Sequence, residues 1–173
     1  MNAKPNINQK SKSILPAPAA GGCQLQHIKT LLGLSRRRCS MGEVLALIGS
    51  RQIPWAWDIA RKGSGRQEIR IWRESLMACL ERENGSGEGP PADKRSLDQI
   101  IEIILPRPAS LARRAATLSG RELQIRFLCS CGHIAGLIAD GELCRVGPAR
   151  PGVTPEILYQ SAFEFLKRRP ISI

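Results

Sequence analysis

The sequence predicts a mainly α-helical chain with small β-hairpins, organised as two similar modules in tandem joined by a linker. Three observations lead there. The stretch from Cys39 to Ile53 aligns without gaps on Cys129 to Leu143, with five identities over 15 positions. A second match follows in the same order, Ile71 to Arg82 on Ile157 to Arg168, sharing Ile71/Ile157, Ser75/Ser161, Leu80/Leu166 and Arg82/Arg168. The offset falls from 90 to 86, so the intervening loop is 17 residues in one copy and 13 in the other, which a structural repeat tolerates. Third, the charge is segregated. Residues 36–73 carry nine basic and three acidic side chains (+6), and residues 107–169 carry ten and five (+5). Residues 81–106 between them are net −3.

The elements follow in order. Residues 1–22 hold little to bury and read as a disordered basic arm. The first module covers 23–82. A linker covers 83–110, its Gly/Pro-rich part running from Glu83 to Asp93. Within that linker Leu97, Ile100, Ile101, Ile104 and Leu105 form a wide helical stripe, opened by Ser96 with Gln99 three residues later and closed by Pro106. This helix packs between the modules or makes a homodimer contact through 97–105. The second module covers 111–173 and is the more legible copy. Ser119 and Glu122 have capping-box spacing and open a helix to about Leu128; Ser130 caps a second helix to about Asp140. Ile134, Leu137 and Ile138 place one stripe of that helix in the core, while Cys131, Gly132, His133, Ala135 and Gly136 give a small or polar opposite face. Residues 143–146 and 153–157 read as a hairpin whose tip carries Arg145 and Arg150, and 155–169 as a final helix with Leu158, Ala162, Phe165 and Leu166 inward. In the first copy the hairpin runs from Trp55 to Arg70, with Arg61, Lys62 and Arg66 around Gly63-Ser64-Gly65. Helix, turn, helix, hairpin, helix is the outline of a winged helix-turn-helix, so the expected architecture is two such modules in tandem.

Composition sets the chemistry. Lys plus Arg number 26 against 15 acidic residues, a net charge of +11. A chain this basic has a polyanion as its first expected partner. No apolar run approaches the ~20 residues of a membrane span, and a cytoplasmic, nucleoid-associated location is expected. The six cysteines are then thiols or metal ligands rather than disulfides. With two histidines, one tyrosine, no Walker-type loop and no carboxylate triad in apolar strands, an enzyme is not expected, nor a cofactor.

The run Ser130, His133, Ile134, Leu137, Ile138, Gly141, Glu142, Leu143 resembles the recognition-helix signature of the excisionase-type, MerR-like winged-helix proteins. Arg70, Ile71, Arg73, Ser75 and Leu76 resemble the wing-to-last-helix signature of the same family. Arg51 departs from it, since the family prefers Gly there. The resemblance implies binding to double-stranded DNA as an architectural or regulatory factor of a mobile element, with a recombinase or transposase as a second partner. Transferred to this chain, the DNA-contacting set is Arg36, Arg37, Arg38, Ser40, Glu43, Arg51, Arg61, Lys62, Arg66 and Arg70 in the first module. In the second it is Ser130, Cys131, His133, Arg145 and Arg150. The two recognition helices, about 41–50 and 131–140, dock in successive major grooves. Alternatively the run from Gly33 to Arg38 forms the first turn and shifts the first helix to about 36–44. Two other functions fit the same basic faces: an RNA-binding or ribonucleoprotein adaptor, and a subunit that recruits a recombinase or nuclease.

Other constellations compete for the same residues. Cys129, Cys131, His133 and Cys144 could ligate zinc, but Cys-x-Cys is an uncommon ligand spacing and only Cys129 recurs in the first copy, as Cys39. Cys23 and His27 form a second, weaker pair. Trp55 and Trp57 either stack on single-stranded bases or pack an indole on their own module.

Overall fold

The computed structural model describes residues 24–28, 40–83, 95–106 and 116–171. Arg36, Arg37, Arg38, Cys23 and Cys39 lie outside them, as does the N-terminal arm. The described residues form six helices and two three-stranded antiparallel sheets. No described helix is long and apolar enough to cross a membrane.

In the first half, strand β1 (Leu25–His27) is followed by helix α1 (Met41–Gly49), strands β2 (Ala56–Asp58) and β3 (Ile69–Trp72), and helix α2 (Arg73–Glu83). Helix α3 (Leu97–Ile104) comes next. The second half runs β4 (Thr117–Ser119), α4 (Gly120–Phe127), α5 (Cys131–Ala139), β5 (Arg145–Val146), β6 (Glu156–Leu158) and α6 (Tyr159–Arg168), the same order but for α4, whose matching positions lie outside the described residues. Each sheet has its last strand in the middle, with β3 between β1 and β2 and β6 between β4 and β5. The repeat reaches individual hydrogen bonds. Arg73 N donates to Gln24 O and Tyr159 N to Ala116 O; Trp72 N donates to Trp55 O and Leu158 N to Cys144 O. Helix α1 occupies 41–49 with Ser40 as its N-cap, in line with a helix at about 41–50 and not with one at about 36–44.

Caps explain the helix starts. Ser40, Ser96, Ser119 and Ser130 each accept a hydrogen bond from the backbone N–H three residues on, and Glu43, Gln99 and Glu122 close capping boxes. Two expectations change. The outer strands β1 and β4 make each hairpin a three-stranded sheet. The last helix begins at Tyr159 rather than 155, because Glu156–Leu158 pairs with β4 and β5; Leu158 is therefore a half-buried strand end.

The core has two parts. One belongs to the first half and gathers Val44, Ile48, Ile53, Ile71, Leu76 and Leu80. The other joins the halves, with Leu25, Trp57, Ile59 and Trp72 packing into a cluster of α3 and second-half residues that includes Phe127, Leu137, Phe165 and Leu166. Trp57 and Trp72 are fully buried there and Trp55 packs against it, so the indoles serve the joint between halves rather than bases or their own module. Helix α3 chooses the intramolecular role. Ile100, Ile101, Ile104 and Leu105 are buried in the shared core, Lys167 pairs with Asp98 at 3.0 Å, and Arg126 Nη1 donates to Ile104 O. The stripe proposed for a homodimer is thereby consumed within the chain.

Candidate nucleic-acid interface

The first hairpin is ordered by its own polar groups. Asp58 Oδ1 accepts from Ala60 N at 3.0 Å and Glu68 N at 2.9 Å, closing the base of the loop. At the tip Ser64 N donates to Arg61 O, and Ser64 Oγ bonds both the N and the O of Arg66. This leaves Lys62 and Arg66 exposed on a fixed loop.

Arg61, in the same loop, has another task. Its Nε and Nη2 donate to Asp140 Oδ2 and Oδ1 at 2.9 and 2.8 Å, a two-pronged pair to the C-terminal end of α5. That pair holds the Asp140 carboxyl below its usual range, first through the hydrogen bonds from Arg61. The guanidinium crosses α5 over Gly136, where a Cβ would stand 2.5 Å from Arg61 Nε and 2.6 Å from Cδ. Only glycine admits this crossing without a shift. One turn earlier His133 Nε2 lies 2.8 Å from Ile59 O and Nδ1 lies 3.4 Å from Glu68 Oε1. Arg61, Lys62, Gly63, Ser64, Glu68 and His133 together line an open cleft of about 320 Å³.

Arg70 completes the joint. It sits on β3, is 4 % exposed, and donates from Nε to Phe127 O at 2.8 Å and from Nη2 to Leu128 O at 2.9 Å. These are end carbonyls of α4, so a cation of one half satisfies and neutralises the C-terminus of a helix of the other. On the far side the C-terminal tail lies along β2, with Asp58 N donating to Arg169 O and Ile171 N to Ala56 O. Arg169 also pairs with Glu142 at 3.0 Å.

The residues singled out in the sequence thus separate into groups. Lys62, Arg66, Arg51 and Arg150 are exposed, and so is Cys131. Ser40, Glu43 and Ser130 face outward but are engaged in helix caps; the hydrogen bond from Ser40 N holds the Glu43 carboxyl below its ordinary range. Arg145 is half-buried and donates to Pro148 O at 2.6 Å. Arg70 and His133 turn inward, because backbone carbonyls of the opposite half are their acceptors. Their expected place on a DNA-facing surface is corrected to the joint between halves. Among the described residues no three His, Cys, Asp or Glu side chains gather into a metal-holding group. Burial pushes the Cys129 thiol up to about 12.

No family model, curated protein or solved structure matches this chain. What distinguishes its two halves is therefore read from the chain itself.

Gly136, expected on the open face of the second helix, is buried beneath Arg61, and Asp140, expected only as the helix end, is the acceptor that holds it. The signal was present at the offset of 90, where Gly136 and Asp140 stand opposite Ala46 and Ser50. Helix α1 has neither the open backbone nor the carboxylate that seat an arginine. Its Met41, Gly42, Glu43, Ala46 and Ser50 are exposed, whereas α5 is covered at His133, Gly136 and Asp140.

Proposed function

We propose that the chain binds nucleic acid, duplex DNA first, through its first half. In this reading each half is a winged helix-turn-helix module, and the second serves chiefly as a brace for the first. The observation that carries it is the braced hairpin. Tied at Asp58 and Ser64 and anchored by Arg61 to Asp140, it presents Lys62 and Arg66 outward on a loop that loses little freedom on binding. A helix fits a major groove ~12 Å wide, and α1 offers the small side chains Gly42, Ala46 and Ser50 on its open face. Lys62 and Arg66 then take phosphates on the flanking backbone, a contact that positions the protein without reading sequence. The net charge of +11 and the excisionase-type motif support the same reading, as does an architectural or regulatory role on DNA.

This differs from the expectation of two equivalent readers. With Arg61 across Gly136, α5 does not enter a groove with the face α1 presents. The experiment is a fluorescence-anisotropy titration of the full chain against duplex DNA, single-stranded DNA and structured RNA at two salt concentrations. The expected result is tightest binding to duplex, with log K falling against log salt by about 0.9 per phosphate engaged. Replacing Lys62 and Arg66 together with Ala lowers that slope by about two on the same rule. Tighter binding to structured RNA selects the ribonucleoprotein alternative, and no binding to any of the three overturns the reading.

A further inference from the structure

The residue after the C-terminal turn of α1 is an arginine where its counterpart is a glycine. Arg51 has φ 57° and Gly141, 90 positions on, has φ 72°, so both take the left-handed conformation. Two of the surrounding hydrogen bonds correspond. Arg51 N donates to Ile48 O and Gly141 N to Ile138 O; Ile53 N donates to Leu47 O and Leu143 N to Leu137 O. The turn is thus one backbone design used twice, and glycine is the residue it favours. A side chain there costs stability. The Arg51 side chain is exposed, and its guanidinium makes no hydrogen bond or ion pair among the described residues. Beside it, Arg82 is fixed in place. Its Nη2 donates to Gln52 O, the carbonyl of the next residue, and its Nε to Ala78 O. Two exposed guanidiniums therefore flank one end of the helix whose face is open.

We infer that Arg51 is a contact for a backbone phosphate of the bound nucleic acid, kept in an unfavourable conformation because the ligand requires the cation at that end of α1. The neighbouring Arg82 supplies a second positive charge to the same phosphate strand. Residues held in sparsely populated backbone conformations cluster at binding sites. The inference rests on the nucleic-acid reading above and gives Arg51, which the resemblance placed in the contact set, a phosphate-binding role shared with Arg82.

The test compares Arg51→Gly, Arg51→Lys and the charge-matched control Arg121→Ala, an exposed arginine on α4. Thermal melting and duplex titrations at two salt concentrations are recorded for each. Arg51→Gly should melt a few degrees higher than the parent, since glycine relaxes the turn. It should bind duplex about three- to tenfold more weakly, with the salt slope lower by about one. Arg51→Lys should melt like the parent and keep its slope. Arg121→Ala should keep its affinity within about twofold, as for a cation remote from the contact. The inference is overturned if Arg51→Gly binds like the parent or loses no more than Arg121→Ala. It is equally overturned if Arg51→Gly melts no higher, because the conformation then carries no cost. If the parent binds no nucleic acid, the nucleic-acid reading falls and this inference with it. Loss confined to Arg51→Gly cannot arise that way, so the two failures are told apart.

Discussion

Arg61 and Asp140 are 79 residues apart and meet as a two-pronged ion pair, with the guanidinium lying over the bare backbone of Gly136. The relationship couples two modules that the sequence presents as separate. It also makes unequal two helices that the sequence presents as equivalent.

The crossing at Gly136 is directly testable. Gly136→Leu places a side chain where Arg61 lies, so the guanidinium must move off the helix. Truncating Arg61 removes the obstacle. In a double-mutant cycle with Arg61→Ala, the two changes should therefore be non-additive by at least about 0.5 kcal/mol. Denaturant melts of the four proteins measure this, and strict additivity would show that the side chains do not meet.

Arg70 is a costly residue of the joint to lose. Its guanidinium is buried on two helix-end carbonyls of α4. Arg70→Ala leaves both carbonyls without their donor, and a buried acceptor left unsatisfied costs about 1–3 kcal/mol. Arg70→Lys cannot reproduce two donors in a fixed fork and should recover only part of the loss. Chemical unfolding reads both variants.

Acid should loosen the joint. The Asp140 carboxyl is held below its ordinary range by Arg61, so it ionises more readily folded than unfolded. Its contribution is full above the ordinary carboxylate pKa of about 3.9 and is lost as the pH falls through its lower folded value. Melting temperatures followed downward from neutral pH should decline there. The decline should be shallower in Asp140→Asn, whose stability at neutral pH is already reduced. An acid limb identical in both proteins would remove Asp140 from the account.

Because Trp57, Ile59 and Trp72 belong to the same core as Phe127 and Leu166, the halves should unfold together. All three tryptophans precede residue 73, while most helix lies beyond it. Tryptophan fluorescence and far-ultraviolet circular dichroism should then give one coincident transition. Two separated transitions would mean that the halves fold independently.

Much of this organisation was legible before any coordinates. The matched stretches carry their own offsets; Ser96 and Ser119 announce helix starts through Gln99 and Glu122 three positions later, and Ser130 does so as a cap alone. Strands β1 and β4 were not legible, since three residues are too few to display a two-residue period. Arg70 and His133 were read as surface residues because arginine and histidine usually are. What turns them inward is a set of backbone carbonyls from the other half, at Phe127, Leu128 and Ile59, and a carbonyl has no signature in sequence. The inequality of α1 and α5 was within reach: Gly136 and Asp140 against Ala46 and Ser50 differ in the two properties that seat an arginine.

The most direct measurement places a carboxylate on each of two matched helices. Ala46 and Ala135 are both exposed, on α1 and α5 respectively, and each can become Glu without entering the core. Duplex affinities of Ala46→Glu and Ala135→Glu are determined by anisotropy at one salt concentration, after melting curves establish that both fold. A carboxylate set against phosphates in the groove costs affinity by at least about tenfold, whereas one on a bracing helix is felt only through screened distance. The account predicts that Ala46→Glu loses duplex binding while Ala135→Glu stays within about twofold of the parent. Equal losses, or a loss confined to Ala135→Glu, would contradict the central claim that only the first half reads the nucleic acid.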